Sequence, residues 1–455
     1  MANILFINPP NKPFTDEAIA IEPVDSLVLA SYVEHLGHKV NFLDMDRRKL
    51  CAKDIELSSY SHVVLLFDYH IPLHTSEAQD EILSILTLCK EKNVFAILGG
   101  KIPQHSPEEF LDSGASIVVV GEMELALKEI LAMEKKREEM KGIIYKDKGK
   151  LIRTEEREEK ISLDELVQIN RNLVSMDEYI DTRTILTSRG CFNTCSFCPV
   201  PVFWGKWRAR SVSRVVDEIE SLVRDWGQKK ILFLDDNAVV NRFRMREISK
   251  EILKRKIKVY LGCLGTISSL DRETLLCMYK AGFRWIHFGV ESGDQSILDE
   301  MRKGVTIEQI RKIILESKKI GFRVRASFIY DFPNITEEGV EKTNALIQEL
   351  EPQEIRIHFL TLKVGTSLYE HYHREGESDS QYIHNNQPNV CSTLSKDIFV
   401  EKLTQLSKNL EKKGYQILSD VKEFRDVKKL KERNPELKLL TFCPLRYGLG
   451  WEDEK

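Results

Sequence analysis

The chain is built on one recurring unit: a compact apolar run, a few turn residues, then apolar residues at helical spacing. The first runs are "NILFINPP", "KVNFLD", "HVVLLF", "VFAILGG" and "SIVVVGE". Between the first two, "VDSLVLASYVEHLGH" sets Leu27, Leu29, Ala30, Val33 and Leu36 at helical spacing. Strands that are apolar along their whole length are covered on both faces. Separated by helices, they predict a doubly wound parallel sheet, which takes ligands at the carboxyl ends of its strands. Residues 1–146 are the expected first domain.

The pattern breaks over residues 147–183, where "KDKGKLIRTEEREEK" reads as a hairpin followed by a linker. It resumes with "TRTILTSRG", "KILFLDDN", "IKVYLGCLG", "RWIHFGVES", "FRVRASFIYDFP" and "EIRIHFLTLK", each pair separated by a helical pattern. Six such units over residues 184–372 predict a partial (β/α)6 parallel barrel. The loops after its strands form the active face. Residues 373–455 are mostly charged helix and are expected to form a helical C-terminal extension.

Composition narrows the function. A net charge of -4 and 42% hydrophobic residues describe an ordinary globular chain, with no basic excess to hold nucleic acid. No apolar stretch reaches the roughly 18 residues that cross a bilayer. The opening "MANILFINPP" reads as a strand, not as a secretory signal. These features point to the reducing cytoplasm, where clustered cysteines serve metals or catalysis.

Three of the nine cysteines fall within eight residues, in "CFNTCSFC": Cys191, Cys195 and Cys198. Thiolates suit zinc and iron–sulfur clusters. A closed zinc site takes four ligands, and no second pair lies nearby. Three thiolates on a cubane leave one iron open, as catalytic metal sites do. The loop directly follows the first barrel strand and Gly190.

This stretch resembles the radical S-adenosylmethionine (SAM) superfamily: C-x3-C-x-aromatic-C at the end of the first strand of a partial barrel. The resemblance implies a [4Fe-4S] cluster on Cys191, Cys195 and Cys198, with SAM chelating the fourth iron. It also implies reductive cleavage of SAM to a 5'-deoxyadenosyl radical, which abstracts hydrogen from an unactivated carbon. Phe197 takes the aromatic position near the adenine. Asp235 and Asp236, ending the second barrel strand, correspond to the acidic groups that bind the SAM ammonium. Glu291 and Ser292 in "FGVESGDQ" correspond to the ribose motif. A small-molecule substrate and a flavodoxin- or ferredoxin-type electron donor are implied as partners.

The first domain is similar to that of the cobalamin-binding subgroup, through "INPP", "AILGG" and "VVVGEMELAL". That likeness implies cobalamin at the carboxyl edge of the sheet, with Tyr69, His70, Gly99 and Gly100 as candidate contacts. His70 or His74 is a candidate lower cobalt ligand. The subgroup implies cobalamin-dependent C-methylation of a small metabolite or natural-product intermediate as the main reading, with cobalamin-free dehydration or deoxygenation of a diol-containing sugar or aminoglycoside as the alternative. Bulky Phe67 and Lys101 after the strands favour the second. A non-catalytic iron–sulfur or zinc sensor is the reading from another class. Cys263 is a candidate hydrogen-atom donor. Arg208 and Arg210 are candidate partners of anionic groups, His371 and His373 candidate substrate contacts, and Cys391 with Cys443 candidates for a second cluster.

Overall fold

The computed structural model describes residues 1–10, 21–67, 76–373, 392, 394–418 and 438–442. Its contacts divide the chain into two compact units that meet in sequence between Ile180 and Asp181.

The first unit alternates β1 (Asn3–Asn8), α1 (Val24–His35), β2 (Lys39–Asp44), α2 (Met45–Arg48), β3 (His62–Leu66), α3 (Ser76–Glu91) and β4 (Phe95–Gly99). It continues with α4 (Lys101–His105), α5 (Pro107–Ser113), β5 (Ile117–Val119), α6 (Met123–Ala132), β6 (Ile143–Asp147) and β7 (Lys150–Arg153). The seven strands form one sheet in the order β2-β1-β3-β4-β5-β6-β7. Strands β1 to β5 pair in parallel, and β6 and β7 add an antiparallel edge. Ile4, Phe6, Val64, Leu65, Ile97 and Leu98 are wholly buried in it. Helix α1 packs with α6, and α3 with α5, giving the two helical layers that the apolar strands demand. The chain reverses direction beside β1, so a crevice opens between the carboxyl ends of β1 and β3. The boundary drawn at residue 146 falls inside β6, because the hairpin belongs to this sheet.

The segment read as a linker is folded back on the first unit. Arg171 and Glu22 make a fully buried two-point ion pair at 3.0 and 3.1 Å. Asn170 donates to Glu34 at 2.7 Å, and the Tyr179 hydroxyl to Asp44 at 2.7 Å.

The second unit begins with β8 (Arg183–Ile185), β9 (Ser188–Arg189), α7 (Val200–Trp204), β10 (Arg208–Ala209), α8 (Val212–Arg224), β11 (Lys230–Phe233) and α9 (Arg242–Lys254). Then come β12 (Tyr260–Gly265), α10 (Arg272–Lys280), β13 (Phe283–Glu291), α11 (Gln295–Glu300), α12 (Ile307–Ile320), β14 (Arg323–Ile329), α13 (Glu337–Leu350), β15 (Glu354–His358) and α14 (Ser367–Tyr372). Six parallel strands, β8 and β11 to β15, pair in sequence order as the partial barrel expected from the alternation. Several of its helices start on side-chain caps: Asn241, Asp271, Asp294, Thr306 and Thr336 each accept a backbone N–H of the first turn. The C-terminal extension supplies α15 (Lys396–Lys412) and also two strands, β16 (Tyr415–Leu418) and β17 (Lys438–Phe442). These extend the sheet in parallel beyond β15.

Candidate active site

The cysteine loop hangs from a clip. After β8 the chain makes β9, loops out through the three cysteines and α7, and returns as β10, with Arg189 opposite Arg208. Gly190 turns the corner at φ +85°, and a Cβ there would stand 3.2 Å from the Trp207 backbone. Asp235, wholly buried, accepts the Thr187 N–H at 2.5 Å and the Thr187 and Ser188 hydroxyls at 2.6 and 2.8 Å. Arg244 adds bonds to the Thr187 carbonyl and hydroxyl. The far side of the loop is pinned by Ser196, whose N–H donates to the Met301 carbonyl and whose own carbonyl accepts the Leu368 N–H, both at 2.9 Å. Trp204 lies fully buried under the Arg189 guanidinium, 4.7 Å from its ring centre.

The loop closes one wall of a cavity of about 400 Å³ at the carboxyl ends of the barrel strands. Cys191, Cys195 and Cys198 all line it, as do Phe197, Asp236 and Glu291. The Cys191 sulfur accepts N–H groups from the Asn193 backbone and the Asn237 side chain, each at 3.4 Å. Asn237 is itself held by Thr266, which accepts at 3.0 Å and donates back at 3.3 Å. Burial pushes the Cys198 thiol up to about 12 and raises Cys195 as well. Both are therefore protonated at neutral pH until a metal displaces the protons. A cubane takes each thiolate on a different iron, so its ligands need to line one space rather than meet at one point.

Glu291 is the strained residue of the site. It sits at φ +71°, at an irregularity in the β13–β14 register. A non-glycine residue held there inside a packed barrel is a candidate functional position. Its carboxylate pairs with the buried Lys303 ammonium at 2.7 Å. Lys303 was invisible to motif reading. It lies in a charged "DEMRKG" stretch, and only the fold of α11 brings it to the cavity.

Several sequence expectations change place. Asp235 does not line the cavity, since its carboxylate braces the start of the cysteine loop from behind. Ser292 is wholly buried and accepts the Asp294 N–H at 3.1 Å, so it shapes the turn into α11. Cys263 is wholly buried, and Leu264 rather than Cys263 faces the cavity, because neighbouring residues of a strand point to opposite faces. Burial raises its thiol pKa, and a hydrogen-donor role for it has no geometric support. Arg210 is paired with Glu218 at 2.5 Å. His371 and His373 lie on and after α14 and are not among the cavity-lining residues. Tyr69, His70, His74, Cys391 and Cys443 lie outside the described residues. Gly99 and Gly100 end β4. A Cβ on Gly99 would strike Met123 at 2.2 Å, and one on Gly100 would strike the Phe67 carbonyl. Phe67 is wholly buried against Phe110, so its ring is in the core.

Comparison with known proteins matches residues 185–347 to the family described as the radical SAM superfamily. An uncharacterized methyltransferase of Pyrococcus horikoshii is 30% identical over 384 residues, covering 81% of this chain and 82% of that protein. Among solved structures, the methyltransferase TsrM of Kitasatospora setae, with cobalamin and a [4Fe-4S] cluster bound, superimposes with a TM-score of 0.68 at 18% identity. That match covers 81% of this chain and 77% of TsrM. The cobalamin-dependent enzyme OxsB superimposes with a TM-score of 0.67 at 20% identity, over 90% of this chain and 62% of OxsB. Both likenesses are likenesses of fold. The Pyrococcus relative matches four-fifths of each chain, and the family match begins in β8, just ahead of the cysteine loop: the chain belongs to the radical SAM superfamily of enzymes.

Proposed function

We propose that the chain is a cobalamin-dependent radical SAM methyltransferase acting on a small molecule. The observation that carries this reading is the single cavity that gathers three thiols, an aromatic ring and two carboxylates at the carboxyl ends of the barrel strands. Cys191, Cys195 and Cys198 would hold the [4Fe-4S] cluster that the family uses. When bound, the cluster delivers the electron that cleaves SAM to methionine and a 5'-deoxyadenosyl radical. The chain's own residues prepare the place. Asn193 and Asn237 direct N–H groups at one cysteine sulfur, which favours the anionic thiolate. Asp236 accepts the Gly190 N–H at 3.3 Å, lines the cavity, and would take the SAM ammonium. Glu291 would receive the ribose hydroxyls, and Lys303 beside it the methionine carboxylate. Phe197, 6.0 Å from the Lys303 ammonium, would pack against the adenine.

Cobalamin, when bound, supplies the methyl group. The first unit would hold it along the carboxyl edge of its parallel strands. Gly121, after β5, has φ +75° and nothing within 4 Å of the position of a Cβ, so a ligand can approach its backbone. Phe67, which as a loop residue would have narrowed the groove, is turned into the core. Gly99 and Gly100 would serve by letting β4 end close-packed at the rim. Tyr69 and His70 stay candidates on sequence alone. A flavodoxin- or ferredoxin-type donor and a cytoplasmic location complete the reading. Among the described residues no helix is long and apolar enough to cross a membrane.

The test is anaerobic. Reconstituted protein with SAM and a strong reductant should form 5'-deoxyadenosine, and protein supplemented with cobalamin should keep corrin absorption through gel filtration. An intact cluster that yields no 5'-deoxyadenosine defeats the enzyme reading. An iron–sulfur spectrum without corrin bands defeats methyl transfer from cobalamin.

A further inference from the structure

The interior of a parallel barrel is usually filled by branched apolar side chains. Three successive strands of this one depart from that rule. On the inward face, β13 carries Trp285 then His287, β14 carries Arg325 then Ser327, and β15 carries Arg356 then His358. The upper row, His287, Ser327 and His358, lines the cavity. The His287 Nε2 lies 2.5 Å from the Ser327 hydroxyl, and its Nδ1 has no hydrogen-bond partner among the described residues.

The lower row is cationic. Arg325 is buried, lies 4.8 Å over the Trp285 ring, and bonds Glu354 at 2.6 Å. Arg323 takes the other Glu354 oxygen at 3.0 Å. Burying such groups is costly and is weak evidence for stability. The two guanidiniums below, and burial first of all, hold both imidazoles well below their usual pKa, so both are neutral hydrogen-bonding groups. Of the acidic groups of the cavity, Asp236 lies near Cys198, and Glu291, at the end of β13, lies near Cys195 with its carboxylate paired to Lys303.

We propose that this wall anchors the substrate by a carboxylate: His287, Ser327 and His358 hydrogen-bond it, and Arg325 and Arg356 beneath supply a positive field. This rests on the cavity being the radical SAM active site as read above. A carboxylate brought here would be received by groups that already face the void. A cationic substrate group would meet two guanidiniums at short range in a medium that screens poorly.

The experiment is calorimetric titration of reconstituted protein, saturated with SAM, using benzoate, its neutral isostere benzamide, and benzylamine. Benzoate should bind at least about tenfold more tightly than benzamide, about 1.4 kcal/mol. That preference should fall at least about fivefold in His358→Phe and in the milder Ser327→Ala, both checked for folding by their iron–sulfur absorption and circular dichroism. Equal binding of benzoate and benzamide overturns the proposal, as does preferred binding of benzylamine or a benzoate preference unchanged in Ser327→Ala. Benzoate binding abolished by SAM assigns the wall to the SAM site and overturns it too. Formation of 5'-deoxyadenosine by the unaltered protein without benzoate tests the enzyme reading separately, so the two can fail independently.

Discussion

Asn237 shows how a side chain outside any motif sets the chemistry of a site. Its amide donates to the Cys191 sulfur and is locked in that orientation by Thr266. Hydrogen bonds to cluster sulfurs stabilise the reduced, more negative state. Asn237→Leu, which keeps the volume and removes the donor, should therefore lower the cluster's midpoint potential in a redox titration followed by electron paramagnetic resonance. An unchanged potential would show that Cys191 is not a ligand or that the bond does not persist. His358 gives a pH signature. Its folded pKa is lowered from 6.5 to about 4, by burial and then by the charges of Arg356 and Arg325. The unfolded chain thus takes up a proton that the folded chain refuses. Stability is complete above pH 6.5 and is lost as pH falls toward 4, by about 3 kcal/mol for the whole step. Between pH 6.5 and 5, before most carboxylates titrate, His358→Gln should lose less melting temperature than the unaltered protein. A parallel loss would mean that His358 is solvated. The cysteines, Phe197, Asp236 and Glu291 were legible because their motifs are local. Lys303 and Asn237 were not, since each acts across a turn that only the folded chain closes. Asp235 was read as a ligand because sequence shows that a carboxylate ends a strand, not which way it points.

At the level of elements, strands announced themselves by apolar runs and were found where those runs lie, in both sheets. What sequence concealed was pairing at long range. The segment around residues 154–180 is charged and irregular, so it reads as a tether. Yet Arg171 reaches back 149 residues to Glu22, and both are buried. The strands Tyr415–Leu418 and Lys438–Phe442 were missed for a related reason: each is a short apolar run in charged surroundings, and only an open barrel edge gives it a partner. The clamp has a measurable weight. Arg171→Met leaves the Glu22 carboxylate buried without the Arg171 guanidinium and should destabilise the protein by about 3–5 kcal/mol. The double replacement Arg171→Met with Glu22→Leu removes both charges and should recover most of that loss. Thermal unfolding of the three proteins compares them directly. A single variant as stable as the parent would mean that the pair is solvated and contributes little.

On the scale of the whole molecule, two sets of parallel strands each offer a carboxyl edge, and the proposed cofactors divide between them. The three cysteines stand on the second unit, and the crevice at β1 and β3 belongs to the first. Each unit has its own buried core. Loading of one cofactor should then not depend on the other. In a protein carrying Cys191→Ala, Cys195→Ala and Cys198→Ala together, iron–sulfur absorption should vanish while corrin bands survive gel filtration at the parent's stoichiometry. The complementary change, a bulky side chain at Gly121, should abolish corrin retention and leave the full complement of iron and sulfide. Loss of corrin in the triple variant, with its circular dichroism unaltered, would overturn that independence.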